Sequence, residues 1–185
     1  MKKLTITTAL TLIISLAFSQ TVFKGLNYHM RPGEAKNEFK KNKLEYDNVD
    51  FGNGFVWRIY QQNFMYDEIG LVGVLFSPKG AALGLSHDGA TSYLEFSRAF
   101  FENKGYTVFF EPDYWQYPIN FKAKYGLLMH DAEKKIVVQL YPYKGYSGTN
   151  WFYSAYMKVM NYDWFMNDFN NQTKILQEKS NNSGF

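Results

Sequence analysis

The sequence contains no cysteine, only three histidines and five prolines, and little net charge. Without cysteine the chain has neither disulfide bonds nor the lipidated cysteine of a bacterial lipoprotein, so its stability has to come from core packing. The 185 residues carry a formal net charge of +3 and no block of like charges. A nucleic-acid-binding protein needs a basic patch, so we do not expect nucleic acid as a partner.

The first 19 residues have the pattern of a secretory signal peptide. Lys2 and Lys3 precede an apolar run, and small residues follow at Ala17 and Ser19. The run is shorter than the roughly 20 residues that a membrane-spanning helix needs. We therefore predict a periplasmic or secreted protein with no membrane span after cleavage, and its net charge falls to +1 once both lysines are lost.

An internal repeat organises the rest of the chain. Residues 71–80, LVGVLFSPKG, recur as residues 136–145, IVVQLYPYKG, and both segments contain a proline and end in Lys-Gly. Each has the composition of a buried strand. The positions that we expect to face the core are the following apolar residues: Leu71, Leu75, Ile136, Val138 and Leu140.

A helix precedes each of these strands. Pro32 suits the first turn of one helix, and Asp88 is a candidate cap for a second helix that ends at Gly105. Further strands are predicted between each helix and its closing strand, including one at 119–129. The chain thus contains two α-β-β-β copies, at about 23–80 and 87–145.

These patterns predict an α+β fold in which tandem α-β-β-β repeats form one antiparallel sheet with the helices on one face. The domain is expected to span residues 20–169, with an added strand near 151–160 and a helical turn at 162–169. Residues 170–185 are polar, and we predict a flexible tail there.

Residues 23–35, FKGLNYHMRPGEA, resemble the start of the small outer-membrane-assembly lipoproteins and of the β-lactamase inhibitory proteins. In those families a short strand leads into Gly-Met-Thr/Ser, two variable residues, then Glu or Gln and a small apolar residue. Met30, Glu34 and Ala35 match, whereas His29 replaces the glycine and Arg31 replaces the capping Ser/Thr. The resemblance implies a tandem helix-plus-sheet fold and a non-enzymatic binding module of the cell envelope, with envelope assembly as one such role.

Few of the residues that could bind a metal or act in catalysis are spaced as such a site would require. His29, His87 and His130 lie at predicted helix entries or turns without a second ligand at metal spacing, so we expect neither a metal nor a cofactor. Glu111 and Asp113 stand among aromatic residues, which leaves glycan hydrolysis open as an alternative function. The simpler interpretation is two solvated acids at the end of a strand.

Aromatic residues make up 19% of the sequence, and they are the main functional indication. Many must be core, but the helices can cover only one face of the predicted sheet. We predict a surface that binds protein or glycan on the open face, built from Trp57, Tyr60, Trp115, Tyr117 and Trp151. The alternative is that residues 162–169 fold back over that face and make it core.

The signal peptide leads to the first testable prediction. The exported protein should begin at Gln20, because Ala17 and Ser19 supply the small residues that signal peptidase requires. The intact mass of the exported protein decides, and retention of residues 1–19 would contradict the prediction.

Overall fold

The computed structural model describes residues 21–46, 49–51, 54–79, 84–112, 115, 119–121, 126–148 and 150–182. The predicted signal peptide, residues 1–19, lies outside the described residues, as do Asp113 and Tyr117.

Nine strands and three helices follow one another in the described part of the chain. The strands are β1 (Thr21–Phe23), β2 (Leu26–Asn27), β3 (Val49–Asp50), β4 (Val56–Asp67), β5 (Gly70–Pro78), β6 (Thr107–Phe110), β7 (Leu127–Asp131), β8 (Ile136–Ser147) and β9 (Asn150–Asn161). The helices are α1 (Pro32–Lys41), α2 (His87–Asn103) and α3 (Tyr162–Asn182). A 3-10 turn, Leu44–Tyr46, follows α1.

Seven strands form one antiparallel sheet in the order β3-β4-β5-β9-β8-β7-β6. The first repeat contributes α1 and the meander β3-β4-β5, and the second contributes α2 and the meander β6-β7-β8. β9 lies between the meanders and pairs with both, since Val159 is opposite Val74 on one side and Val138 on the other. The predicted α+β fold with an antiparallel sheet is confirmed.

The closing strands of the two repeats, β5 and β8, occupy the places on either side of β9. Their central position agrees with the prediction, and Leu71, Val138 and Leu140 are fully buried. Ile136 is half-buried and packs against the core as predicted, whereas Leu75 is half-buried and does not belong to that core, which corrects its assignment. Leu75 pairs with Lys158, and both side chains point away from the face on which Leu140 lies.

We call the sheet face that carries Trp57, Ile59 and Leu140 the inner face. α1 and α2 pack on it and complete the main hydrophobic core, to which α2 contributes Leu94 and Phe101. The amphipathic spacing that predicts α2 therefore identifies the side that becomes buried. The opposite side of the sheet is called the outer face.

The two inner-face helices begin with different caps. At α1, the Glu34 carboxylate accepts a hydrogen bond from the Arg31 backbone N–H (2.9 Å), and so contributes half of a capping box although the usual Ser/Thr is missing. At α2, the Ser86 hydroxyl accepts from the Gly89 N–H (3.0 Å). Asp88, the predicted cap, lies inside the first turn instead, where its charge suits the positive end of the helix.

α3 packs on the outer face, so the prediction of helices on a single face holds for α1 and α2 but not for α3. Phe165 and Phe169, one turn apart, pack against a small cluster of three buried residues on the sheet. That cluster consists of Leu128, Val137 and Met160. Residues 162–169 therefore fold back over part of the outer face. This was the alternative that the sequence left open.

The C-terminal helix is also longer than predicted, because one helix runs from Tyr162 to Asn182 in place of a turn and a flexible tail. Its start is capped by the Asn161 side chain, which accepts a hydrogen bond from the Trp164 N–H (2.8 Å). Once aromatic packing holds the first turns, the helix can extend at little further cost, because adding a residue to an existing helix is far easier than starting one.

One strand prediction also needs correction. β7 begins at Leu127, whereas the sequence pattern predicted a strand from Ile119. Ile119 and Phe121 are buried outside any strand. Their apolar character therefore serves core packing and not sheet pairing.

The core position of Leu140 leads to a stability prediction. Leu140→Ala should lower the free energy of unfolding by about 2 to 5 kcal/mol, because it leaves a cavity where the surrounding core cannot fully collapse. Urea unfolding measures the loss. Ile69→Ala is the control, since Ile69 is 56% exposed and its truncation should change stability by no more than about 0.5 kcal/mol. A loss below about 1 kcal/mol for Leu140→Ala would contradict its central position.

Candidate functional site

The hairpin of β8 and β9 reaches beyond the strands that flank it. β8 and β9 pair along their whole length, from Ile136 opposite Asn161 to Ser147 opposite Asn150. In the described part of the chain, β5 pairs with β9 only at 157–160 and β7 pairs with β8 only at 136–140. We call the remaining part, residues 141–156, the hairpin arm.

The hairpin arm is supported midway along its length. Leu85 and Tyr153 exchange two backbone hydrogen bonds, of 2.7 and 3.2 Å, which attach the arm to the segment before α2. The Phe152 ring lies against Gly145, where an added Cβ would come within 2.3 Å of the ring. The glycine that ends the repeated sequence therefore makes room for an aromatic ring.

Two exposed rings and a lysine lie at the tip of the arm on the inner-face side. Tyr146 and Trp151 are opposite each other across the hairpin, with ring centroids 5.0 Å apart, and each is 59% exposed. The Lys144 Nζ lies 4.3 Å from the centroid of the Trp151 ring. This arrangement is a cation–π contact at the surface. We call these three residues the tip cluster.

An aromatic strip occupies the outer-face side of the arm. Tyr141 and Tyr156 stack with centroids 5.2 Å apart, and Tyr143 contacts both Tyr156 (5.6 Å) and Phe152 (5.9 Å). Burial, together with the nearby Tyr156, raises the pKa of Tyr141 to about 12. The strip consists of Tyr141, Tyr143, Phe152 and Tyr156. It follows from strand alternation, which puts every second residue of β8 and β9 on one face.

Lys158 lies at the end of this strip that is farther from the hairpin turn. Its Nζ lies 5.3 Å from the centroid of the Tyr141 ring, and burial lowers the pKa of its ammonium group. Among the described residues, Lys158 forms no ion pair with a carboxylate. Lys158 is therefore a desolvated cation on the outer face, without a carboxylate partner among the described residues.

Between α3 and the strands lies an open cavity of about 360 Å³ on the outer face. Its walls come from strands β6 to β8, from the residue before β7 and from α3. The lining residues are Phe110, Gly126, Leu128, Gln139, Phe165, Asp168, Phe169, Gln172 and Thr173.

Trp57 and Trp115 are buried, which corrects their prediction as surface residues. Trp57 is 0% exposed beneath α2, and its indole Nε1–H donates to the Ser97 hydroxyl (3.1 Å). Trp115 is 4% exposed and belongs to the same core. Tyr60 is half-buried on β4. Trp151 alone among the predicted residues that the structure describes is strongly exposed, so the structure does not bring the predicted set together.

Glu111 is engaged in an ion-pair network. Both of its carboxylate oxygens accept hydrogen bonds from the Arg98 guanidinium at 3.1 Å, and the Arg98 Nε donates to Glu102 at 2.9 Å. The other acid of the proposed pair, Asp113, lies outside the described residues. The carboxylate that would act in glycan hydrolysis is thus held by an arginine.

The histidines occupy three different environments. The His87 ring packs between Phe121 (4.9 Å) and Tyr153 (5.2 Å), and the His130 ring stacks on Tyr162 (5.6 Å). His29 has a positive φ of 68° in the turn before α1. Within the described residues, no group of three or more His, Asp or Glu side chains could hold a metal ion.

Searches of protein-family models, of curated proteins and of solved structures returned no match to this chain. In the part of the chain that the structure describes, no helix is both long and apolar enough to cross a membrane. The candidate site therefore has to be argued from its own geometry.

Most residues of this site are not indicated by the sequence patterns. Tyr141 and Tyr143 belong to a predicted buried strand, and Tyr146 lies just beyond the repeated segment, so the sequence does not indicate that these rings are exposed. One sequence feature does point to these residues. Aromatic residues are frequent on both sides of the turn at Ser147, in β8 and in β9. Cross-strand aromatic pairs are common where a hairpin must hold itself together.

The different exposure of the tryptophans is directly testable. Trp151→Phe should remove most of the tryptophan emission that acrylamide quenches, because the Trp151 ring is largely in solvent. Trp57→Phe is the matched control, and it should instead remove tryptophan emission that acrylamide does not quench. Equal quenching of the wild type and Trp151→Phe would contradict the exposed tip.

Proposed function

We propose that this protein is a non-enzymatic binding module, exported to the periplasm or secreted, which holds a partner protein through the tip cluster. The observation that carries the proposal is the exposure of Tyr146 and Trp151 side by side, with Lys144 on the Trp151 ring. Tryptophan and tyrosine are the side chains that most often dominate the binding energy of protein interfaces. Two such rings on one arm form a compact anchor.

The way the arm is held supports this use. The Leu85–Tyr153 hydrogen bonds and the packing of Phe152 on Gly145 limit the motion of the arm relative to the sheet. A rigid arm loses little conformational entropy when its rings are buried by a partner. The tip is therefore suited to binding without a large ordering cost.

The predicted signal peptide and the resemblance of residues 23–35 favour a partner in the cell envelope. A role in envelope assembly is one form of this proposal. The small net charge of the mature chain favours contacts made by aromatic side chains over purely electrostatic association.

A glycan is the second candidate ligand, because exposed aromatic rings such as Trp151 also provide flat apolar surfaces for sugars. Binding of a glycan fits the described geometry better than hydrolysis. Canonical glycosidases use two carboxyl groups, and Glu111 is engaged by Arg98.

The proposal predicts the behaviour of two tip variants. A partner captured from envelope extract should be purified and its dissociation constant measured by calorimetry. Trp151→Ala should weaken its binding by about 30-fold or more, the effect of losing a hot-spot ring, and Tyr146→Ala should weaken it in the same direction. Tyr66→Ala is the control, since Tyr66 is a partly exposed ring on β4.

Unchanged affinity in Trp151→Ala would contradict the tip as the binding site. Saturable binding of a polysaccharide that is lost in Trp151→Ala would favour the glycan candidate. Turnover of a polysaccharide that Glu111→Gln abolishes would overturn the non-enzymatic proposal.

A further inference from the structure

The outer-face cavity has the size and lining of a small-molecule site. Its volume of about 360 Å³ falls within the range of roughly 300 to 1,000 Å³ that is usual for ligand pockets. Phe110, Leu128, Phe165 and Phe169 provide apolar walls from both the sheet and α3. Such a cavity favours an apolar ligand or the apolar part of an amphiphilic one.

A cation stands beside this cavity. Gln139, a wall residue, is directly opposite Lys158 in the pairing of β8 with β9, so the two side chains project from the same face about 5 Å apart at their Cβ atoms. The Lys158 Nζ lies over the Tyr141 ring. Gly126, another wall residue, approaches Tyr141 so closely that an added Cβ would lie 2.8 Å from the tyrosine Cβ. Gln139 and Gly126 thus connect the cavity wall to Lys158 and to the ring beneath its ammonium group, although Lys158 is not itself a lining residue.

We propose that this cavity binds a single-chain amphiphile with an anionic head group, such as a medium-chain alkanoate. The alkyl chain occupies the apolar space between α3 and the sheet, and the carboxylate pairs with the Lys158 ammonium group. This site is separate from the tip cluster, which lies on the other side of the hairpin.

The state of Lys158 favours an anion. The ammonium is half-buried and has no carboxylate partner among the described residues, and burial lowers its pKa. A desolvated charge gains most from a counter-ion that is brought into its own low-dielectric environment. An anionic head group supplies that counter-ion.

Asp168 also lines the cavity and would repel an anion placed near it. Its side chain is exposed on α3, so water screens its charge far more than that of Lys158. The head group is therefore expected at the Lys158 end, with the chain directed toward α3. An alkylammonium ligand bound at Asp168 is the competing arrangement.

Calorimetric titration of the mature protein with decanoate and with decanol, below micellar concentrations, tests the proposal. Wild type should bind decanoate more tightly than decanol, and affinity should rise about fourfold for each methylene between octanoate and decanoate. Lys158→Met removes the charge but keeps the apolar stem, and it should weaken decanoate about tenfold or more while decanol is unchanged. Lys158→Arg should retain decanoate binding.

A second pair of variants tests the cavity itself. Thr173→Phe places a ring at the wall and should weaken both ligands at least tenfold, whereas Ile175→Phe, at an exposed position of the same helix, should not. Thermal unfolding confirms that each variant is folded. Trp151→Ala should bind decanoate like wild type, which separates this site from the proposed partner site.

Three results would overturn the proposal. They are the absence of saturable decanoate binding, equal decanoate affinity in wild type and Lys158→Met, and tighter binding of decylammonium than of decanoate.

Discussion

The pairing of β9 on both of its edges is the interaction on which the rest of this structure depends. Each repeat builds a three-stranded meander, and among the described residues strand pairing joins the two meanders only through β9, where Val159 lies between Val74 and Val138. Three strands with one covering helix are close to the smallest sheet that is stable alone. The last strand of the chain therefore turns two marginal halves into one sheet, and this long-range pairing should form late in folding.

The candidate binding features follow from the same strand. Because β9 pairs with all of β8 but with only part of β5, the outer half of the β8–β9 hairpin becomes an arm. Alternation along the arm places the tip cluster on one side and the aromatic strip on the other. The strand that joins the repeats also carries Lys158, and α3, which continues from it, closes the cavity.

Much of the fold was predictable from periodicity and repetition. The repeated segments at 71–80 and 136–145 indicated two central strands, and the apolar spacing from Ala90 to Phe101 indicated α2. These signals are local, since the same residues that show the pattern form the element. The length of α3 was not predictable in this way, because its polar second half continues a helix that is held by aromatic packing in its first half.

The amino-acid sequence by itself determined which residues share a strand face or a helix face, because side-chain direction follows from backbone geometry alone. Tertiary structure decided which of those faces is covered. Trp57 and Trp151 are both strand tryptophans, yet one is buried because α2 brings Ser97 to its indole nitrogen, and the other is exposed because its strand extends past the helices. Exposure depends on what distant segments cover, and so the proposed binding surface could be recognised only in the assembled fold.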